Sequence, residues 1–193
     1  MWISAFSIVC PAVGQDLNDD AWPPRSAGFA SAVSRISDDA LVSISDAQRA
    51  PAPWASWHGT VHHDLPTDLY LPGRGDGGYL AFIGRISPEK GVGKAIEIAR
   101  RVRIPLKIAA KVDKADIDYY NHKIKRLLKG PGVEFIGEIG DRDKGEFLGR
   151  AMALLFPIDW PEPFGLVMIE AMATAPRSSR SGEALFRKSS TRG

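Results

Sequence analysis

From Gly78 onward the chain repeats one pattern four times: a short apolar run, then a stretch with helical spacing. YLAFIG (79–84), LKIAAK (106–111), VEFIG (133–137) and MALLFP (152–157) suit buried strands. Between them, 91–103 sets Ala95, Ile96, Ala99 and Val102 on one helical side. Residues 115–129 do the same with Ile117, Tyr120, Ile124, Leu127 and Leu128, and Gly130-Pro131-Gly132 ends that helix. Asp141 is placed to cap a helix running to about Arg150, and 165–173 reads as a fourth helix. Strands alternating with helices predict an α/β fold: a Rossmann-like parallel sheet with flanking helices. Ligands of such a sheet sit beyond the carboxyl ends of its strands, so the residues after Gly84, Lys111, Gly137 and Pro157 are the ones to inspect.

Upstream the signals weaken. Residues 1–37 read as irregular, with Pro23, Pro24 and Gly28 close together. ALVSIS (40–45) reads as a short buried strand, and Ser45 and Asp46 can cap a helix that Pro51 and Pro53 stop early. TVHHDLP reads as a connector and LPGRGDGG as a loop. Residues 175–193 lack periodicity and read as a disordered basic tail; a nucleic-acid arm is the sharper alternative, but no aromatic pattern interleaves the arginines.

Whole-chain numbers narrow the partners. A formal net charge of +2 is too small to imply a nucleic-acid or membrane partner. The lone Cys10 can form no internal disulfide, which points to a reducing, cytoplasmic compartment. The mildly apolar start has no early Lys or Arg and falls short of the ~20 residues a membrane helix needs.

Two stretches carry chemistry. After the first strand comes Gly84-Arg85-Ile86-Ser87-Pro88-Glu89-Lys90-Gly91, which matches neither a Walker A loop nor the dinucleotide fingerprint. It leaves two cations at a strand's carboxyl end: Arg85 offers a planar fork of donors for phosphate oxygens and Lys90 a mobile point charge. Solvated side chains around a turn are the plainer reading of the pair. In the second stretch Glu162 and Glu170 bracket a helix start at Phe164-Gly165-Leu166, where free N–H groups can face a phosphate. Two acceptor-only carboxylates around a phosphate site suit a ligand with two diols separated by a diphosphate. A surface Glu and a partnerless helix Glu are the alternative.

The two motifs together, in this order and with three β/α units between them, resemble the donor-binding, C-terminal domain of the retaining glycosyltransferases of family four, which have the GT-B fold. The resemblance covers about residues 40–174, with ALVSISDAQR similar to the end of that family's N-terminal domain and TVHHDLP to its interdomain connector. It implies a remnant of that domain plus connector at 38–76 and an incomplete nucleotide-sugar-binding domain at 77–174. It also implies that Arg85 and Lys90 hold the donor diphosphate in place of a metal, that Glu162 faces the sugar hydroxyls, and that Glu170 holds the ribose hydroxyls. Phe164, Gly165 and Leu166 would lie along the phosphates and sugar, Gly84 beside them, and Ile139 near the base. The catalytic set is then Arg85, Lys90 and Glu162, with no metal and no cofactor beyond the nucleotide-sugar itself.

The likeness stops at both ends. The family's glycine-rich loop and site histidine have no counterpart before residue 40, and TAPRSSRSG replaces its Gly-Thr/Ser-Pro-Val strand. A non-catalytic remnant with weak or no donor binding is therefore the rival to an active transferase. A sheet lacking its last strands would also expose an edge and invite self-association.

Three other groupings tempt less. His58, His62, His63 and Asp64 have no second cluster to complete a metal site. Asp116-Ile117-Asp118 falls at a helix start, where acids serve the helix dipole. Lys111 reads as solvent-facing, and Trp160 as a packing residue or exposed remnant, with a place beside a sugar pocket as the sharper alternative.

Overall fold

The structure is a computed structural model that describes residues 40–66, 68–159 and 162–175. The expected N-terminal segment 1–37, the tail beyond Ala175 and Trp160 lie outside those residues.

The first unit is small. Strand β1 (Leu41–Ser43) leads into α1 (Asp46–Arg49), and β2 (Trp57–Thr60) returns parallel to β1. Ser45 caps α1 as its sequence suggests, its hydroxyl accepting from the Gln48 N–H at 3.2 Å. Strand β2 lies where the sequence suggested only the approach to a connector. Its Trp57 packs with Ala55 against Leu41 and Ala52, and the Trp57 indole N–H donates to the Ala52 carbonyl at 2.9 Å. The Arg49 guanidinium lies over the Trp57 ring, 5.8 Å from its centroid, and Arg49 Nε donates to Ser43 Oγ at 2.8 Å.

The second unit carries the alternating pattern. Strands β3 (Leu80–Arg85), β4 (Leu106–Lys111), β5 (Val133–Gly137) and β6 (Ala153–Leu154) form a parallel sheet in the order β5-β4-β3-β6. Helix α2 (Val92–Val102) follows β3, α4 (Asp141–Arg150) follows β5, and α5 (Leu166–Thr174) follows β6. Between β4 and β5, residues 114–128 wind as one helical stretch, α3.

Period-two alternation along β3 divides the core between the sheet's two faces. Leu80 and Phe82 pack with Ile108, with Val92, Ala95, Ile96 and Ala99 of α2, and with Ile124 of α3. Tyr79 and Ala81 point the other way, to Ala109 and to Phe147 and Leu148 of α4, with Ala171 of α5 beside them. Helices on both faces explain why β3 and β4 read as near-continuous apolar runs, whereas the edge strand β5, expected to be buried, leaves Phe135 and Ile136 exposed.

Four expectations need correction. Val102, read on the inward side with Ala95, Ile96 and Ala99, is exposed at the last turn of α2. Ile117 is exposed, not inward, because α3 contains a π-helical turn, Tyr120–Ile124, that shifts the helical phase so that Ile124 takes the core position. Strand β6 pairs over two residues instead of six. Its ladder ends with Leu155 N–H donating to the Ala81 carbonyl at 2.8 Å, and Pro157 has no N–H to continue it. Asp141 is the first residue of α4 and not its cap; Gly140 holds that position and makes no side-chain bond.

Candidate functional site

The strand order reverses at β3: the chain steps from β3 to β4 to β5 on one side, then returns to place β6 on the other. In open α/β sheets a reversal of this kind opens a crevice between the two loops that leave the adjacent strands. Here those are the loop after β3, carrying Arg85 to Gly91, and the loop after β6, of which Pro157 to Asp159 and Glu162 to Gly165 are described.

The two loops are tied together. The Asp159 N–H donates to the Glu89 carbonyl at 2.8 Å. Lys94 Nζ lies 2.7 Å from Asp159 Oδ2, and Lys90 Nζ donates to Glu162 Oε2 at 2.5 Å. Gly91 allows the approach. It sits at φ 72°, and a Cβ there would come within 2.2 Å of the Pro157 carbonyl oxygen. The β6 loop also touches the first unit: the Ser45 hydroxyl donates to the Pro163 carbonyl. The His63 ring meets Phe164 edge-on with centroids 5.1 Å apart.

Arg85 takes a different set of neighbours. Its Nη2 donates to Glu89 Oε1 at 2.8 Å, its Nη1 lies 3.4 Å from Asp113 Oδ2, and its Nε lies 3.4 Å from Asp116 Oδ2. Burial works against the guanidinium charge, but these three carboxylates outweigh it and the Arg85 pKa is raised. Burial pushes the Asp116 carboxyl up despite Arg85. Burial also pushes Glu89 up, but hydrogen bonds, including one from Arg85, outweigh it and hold Glu89 below the usual range. Asp116 thus pairs with an arginine, where the sequence suggested a capping role; its side chain makes no cap bond. Lys111 is exposed as expected and pairs with Asp113 at 3.2 Å.

Helix α5 begins at Gly165, which adopts φ 80° and whose carbonyl accepts from the Met168 N–H at 2.8 Å. A side chain there would strain the backbone and crowd the Met168 methyl at 2.7 Å. One and a half turns on, Glu170 is buried, with 5% of its surface exposed. Its Oε1 accepts from the Tyr70 hydroxyl and from Lys144 Nζ, each at 2.9 Å. Burial opposes the Lys144 charge, yet Glu170 and Asp141 raise its pKa, and burial next to Glu170 pushes the Tyr70 phenol up to about 12.

The predicted residues therefore divide. Lys90 and Glu162, 72 positions apart, are brought into contact. Arg85 leaves the same strand end but is held by acids of its own. Glu170 is held from α4 and from the segment before β3. Gly84 has room beside it, the nearest atom to an added Cβ being Phe82 at 3.9 Å. Phe164 and Leu166 flank Gly165. Ile139 packs against the second core cluster. Asp113, Asp116, Tyr70 and Lys144 went unread as partners, because no local pattern marks a side chain whose partner comes from another element. Among the described residues no three His, Cys, Asp or Glu side chains gather as a metal site. None of the described helices is long and apolar enough to cross a membrane.

Residues 72–175, more than half of the chain, match the family described as "Glycosyl transferases group 1". An "Uncharacterized 42.6 kDa protein in cps region" of Klebsiella pneumoniae is 32% identical over 93 residues, which are 48% of this chain and 23% of that protein. Among solved structures, AviGT4, "a glycosyltransferase involved in Avilamycin A biosynthesis", superposes with a TM-score of 0.57 at 26% identity, covering 68% of this chain and 42% of that one. Anabaena Alr3699/HepE, solved in complex with UDP, superposes at 0.60 with 19% identity, over 80% and 49% of the two chains. TarM superposes at 0.52 with 17% identity, over 83% and 33%. The last two share the fold. The chain thus spans about a quarter of its curated relative and a third to a half of the solved chains.

Proposed function

The chain belongs to the glycosyl transferases group 1 family, and on that premise we propose that residues 77–174 bind the nucleotide-sugar donor of a retaining glycosyl transfer. In this reading residues 38–76 are the end of an acceptor-side domain and its connector. The observation that carries it is the Lys90–Glu162 contact in the crevice where the strand order reverses. An ammonium and a carboxylate meeting there match the two ends of a glycosyl diphosphate. On donor entry, Lys90 exchanges Glu162 for a diphosphate oxygen, and Glu162 is released to accept from sugar hydroxyls. Arg85, at the end of the neighbouring strand, adds charge as the diphosphate leaves, and the open N–H groups of α5 add a fixed dipole. The UDP of Alr3699/HepE, which shares the fold, supports a nucleoside diphosphate as the ligand class. The lone cysteine supports a reducing, cytoplasmic setting.

Calorimetric titration of the full chain with UDP-, ADP- and GDP-sugars tests this. Saturable binding of at least one, abolished by Lys90→Ala, is expected; no heat and no thermal shift with all three overturns it.

One observation favours the rival, a domain that keeps the fold without productive donor binding. Among the described residues, Arg85 and Lys111 share their corner with Glu89, Asp113 and Asp116, and the Arg85 guanidinium meets all three carboxylates. An arriving diphosphate must compete with these acids for the Arg85 guanidinium. Sugar transfer by the purified chain would eliminate this rival.

A further inference from the structure

The Glu170 carboxylate is held by two donors. Its two donors come from different parts of the chain: Lys144 from the first turns of α4, and Tyr70 from the segment that leads into β3. Both bonds fall on the same oxygen, Oε1. A carboxylate offers about four acceptor positions on its two oxygens, so this arrangement fixes the rotamer while concentrating the protein's own donors on one side.

The Tyr70 segment is itself pinned. Gly73 N–H donates to the Thr174 carbonyl at 3.0 Å, Gly75 N–H to Gly149 at 2.9 Å and Gly77 N–H to Arg150 at 2.8 Å. A Cβ on Gly145 would lie 2.8 Å from the Leu69 carbonyl oxygen, and one on Gly73 would collide with Gly149 at 1.9 Å. The phenol is thus delivered to Oε1 by a strap stitched onto both α4 and α5. Replacing a buried ion pair by apolar residues of similar volume is often neutral for stability or favourable. Lys144 Nζ also lies 3.2 Å from Asp141 Oδ1, so the ammonium is shared, but a buried carboxylate with two donors on one oxygen still calls for a use beyond holding the helices together.

We propose that Tyr70 and Lys144 are positioning residues that hold Oε1 of Glu170 so that Oε2 is the oxygen presented to the ribose diol of a bound nucleotide. This rests on the donor-binding reading above. Lys144 supplies the opposite charge that a buried carboxylate needs, and Tyr70 sets the direction. The ribose hydroxyls then donate to an oxygen the protein has left to them. The strap before β3 becomes part of nucleotide recognition although it touches no ligand.

The test compares UDP, ADP and GDP, each against its 2′,3′-dideoxy counterpart, by calorimetry on the full chain and on Tyr70→Phe. The wild type is expected to prefer the ribose form of the nucleotide it binds. Tyr70→Phe should reduce that preference about fivefold, the effect of one hydrogen bond, by weakening the ribose form more than the dideoxy form. A purely structural role would weaken both forms alike and leave the ratio intact, which overturns the proposal but leaves donor binding standing. Binding by the wild type without ribose preference also overturns it. No binding of any nucleotide removes the functional reading itself and this inference with it. Should Tyr70→Phe fail to fold by circular dichroism, Lys144→Arg keeps the charge but displaces the donor, and the same ratio decides.

Discussion

Glu162 and Glu170 stand eight residues apart in one motif, yet the structure gives them opposite surroundings. Glu162 lies in a loop, part-exposed, and meets the Lys90 ammonium carried on the neighbouring loop. Glu170 lies on a helix, buried, and meets an ammonium and a phenol on one oxygen. The first pair can come apart at little cost, because water and a ligand can replace either partner. The second cannot, because losing the Lys144 ammonium leaves a buried carboxylate without its compensating charge. One motif thus supplies an exchangeable acid and a fixed one, which suits a ligand with a departing sugar at one end and a retained nucleoside at the other.

The contrast is sharpest in Lys144→Met. Removing the ammonium leaves Glu170 buried and uncompensated, and the expected loss is about 3–5 kcal/mol of stability, read by urea denaturation. A loss below 1 kcal/mol would mean that Glu170 reaches solvent and that the contrast is false.

Alkaline pH probes the same corner without mutation. The folded chain keeps the Tyr70 proton up to about pH 12, whereas the unfolded chain releases it near 10. Between those values the folded state binds more protons, so stability falls as pH rises. Lys144, also raised, adds in the same direction. Burial raises Tyr79 and Tyr119 as well, so the share of Tyr70 is the difference between wild type and Tyr70→Phe. That share is on the order of 2–3 kcal/mol at pH 12. Parallel pH profiles for the two proteins would remove Tyr70 from the account.

Glu162→Gln should do least to the fold. Its ion pair is part-exposed, and the expected change in unfolding free energy is within about 1 kcal/mol. Nucleotide-sugar binding should weaken at the same time, whereas binding of the nucleoside diphosphate alone should not. A large stability loss would make Glu162 a structural residue like Glu170.

The fold was far more legible than the site. β4 follows its apolar run residue for residue, since burial on two faces leaves a continuous local mark; β5 keeps the predicted bounds although Phe135 and Ile136 lie exposed at the sheet's edge. The phase of α3 was not legible: a π turn changes which residue faces inward without changing composition. β2 was missed because WHGT becomes a strand only by pairing with β1. Within the site, Lys90 and Glu162 could be named from their motifs, but nothing near Arg85 in sequence announces Asp113 and Asp116, which follow the next strand.

Sequence alone determined the alternation of strand and helix, the parallel sheet it requires, and the loops from which charged groups can reach a ligand. These rest on periodicity, turn residues and chain direction, all readable within a few positions. Tertiary structure alone decided which charge meets which. Lys90 found Glu162 because the strand order reverses at β3. Glu170 found Tyr70, 100 residues away, because a glycine strap crosses two helices closely enough to bring a phenol onto its oxygen. The energy of an ion pair depends on distance and on exclusion of water, and neither exists until the chain has closed on itself.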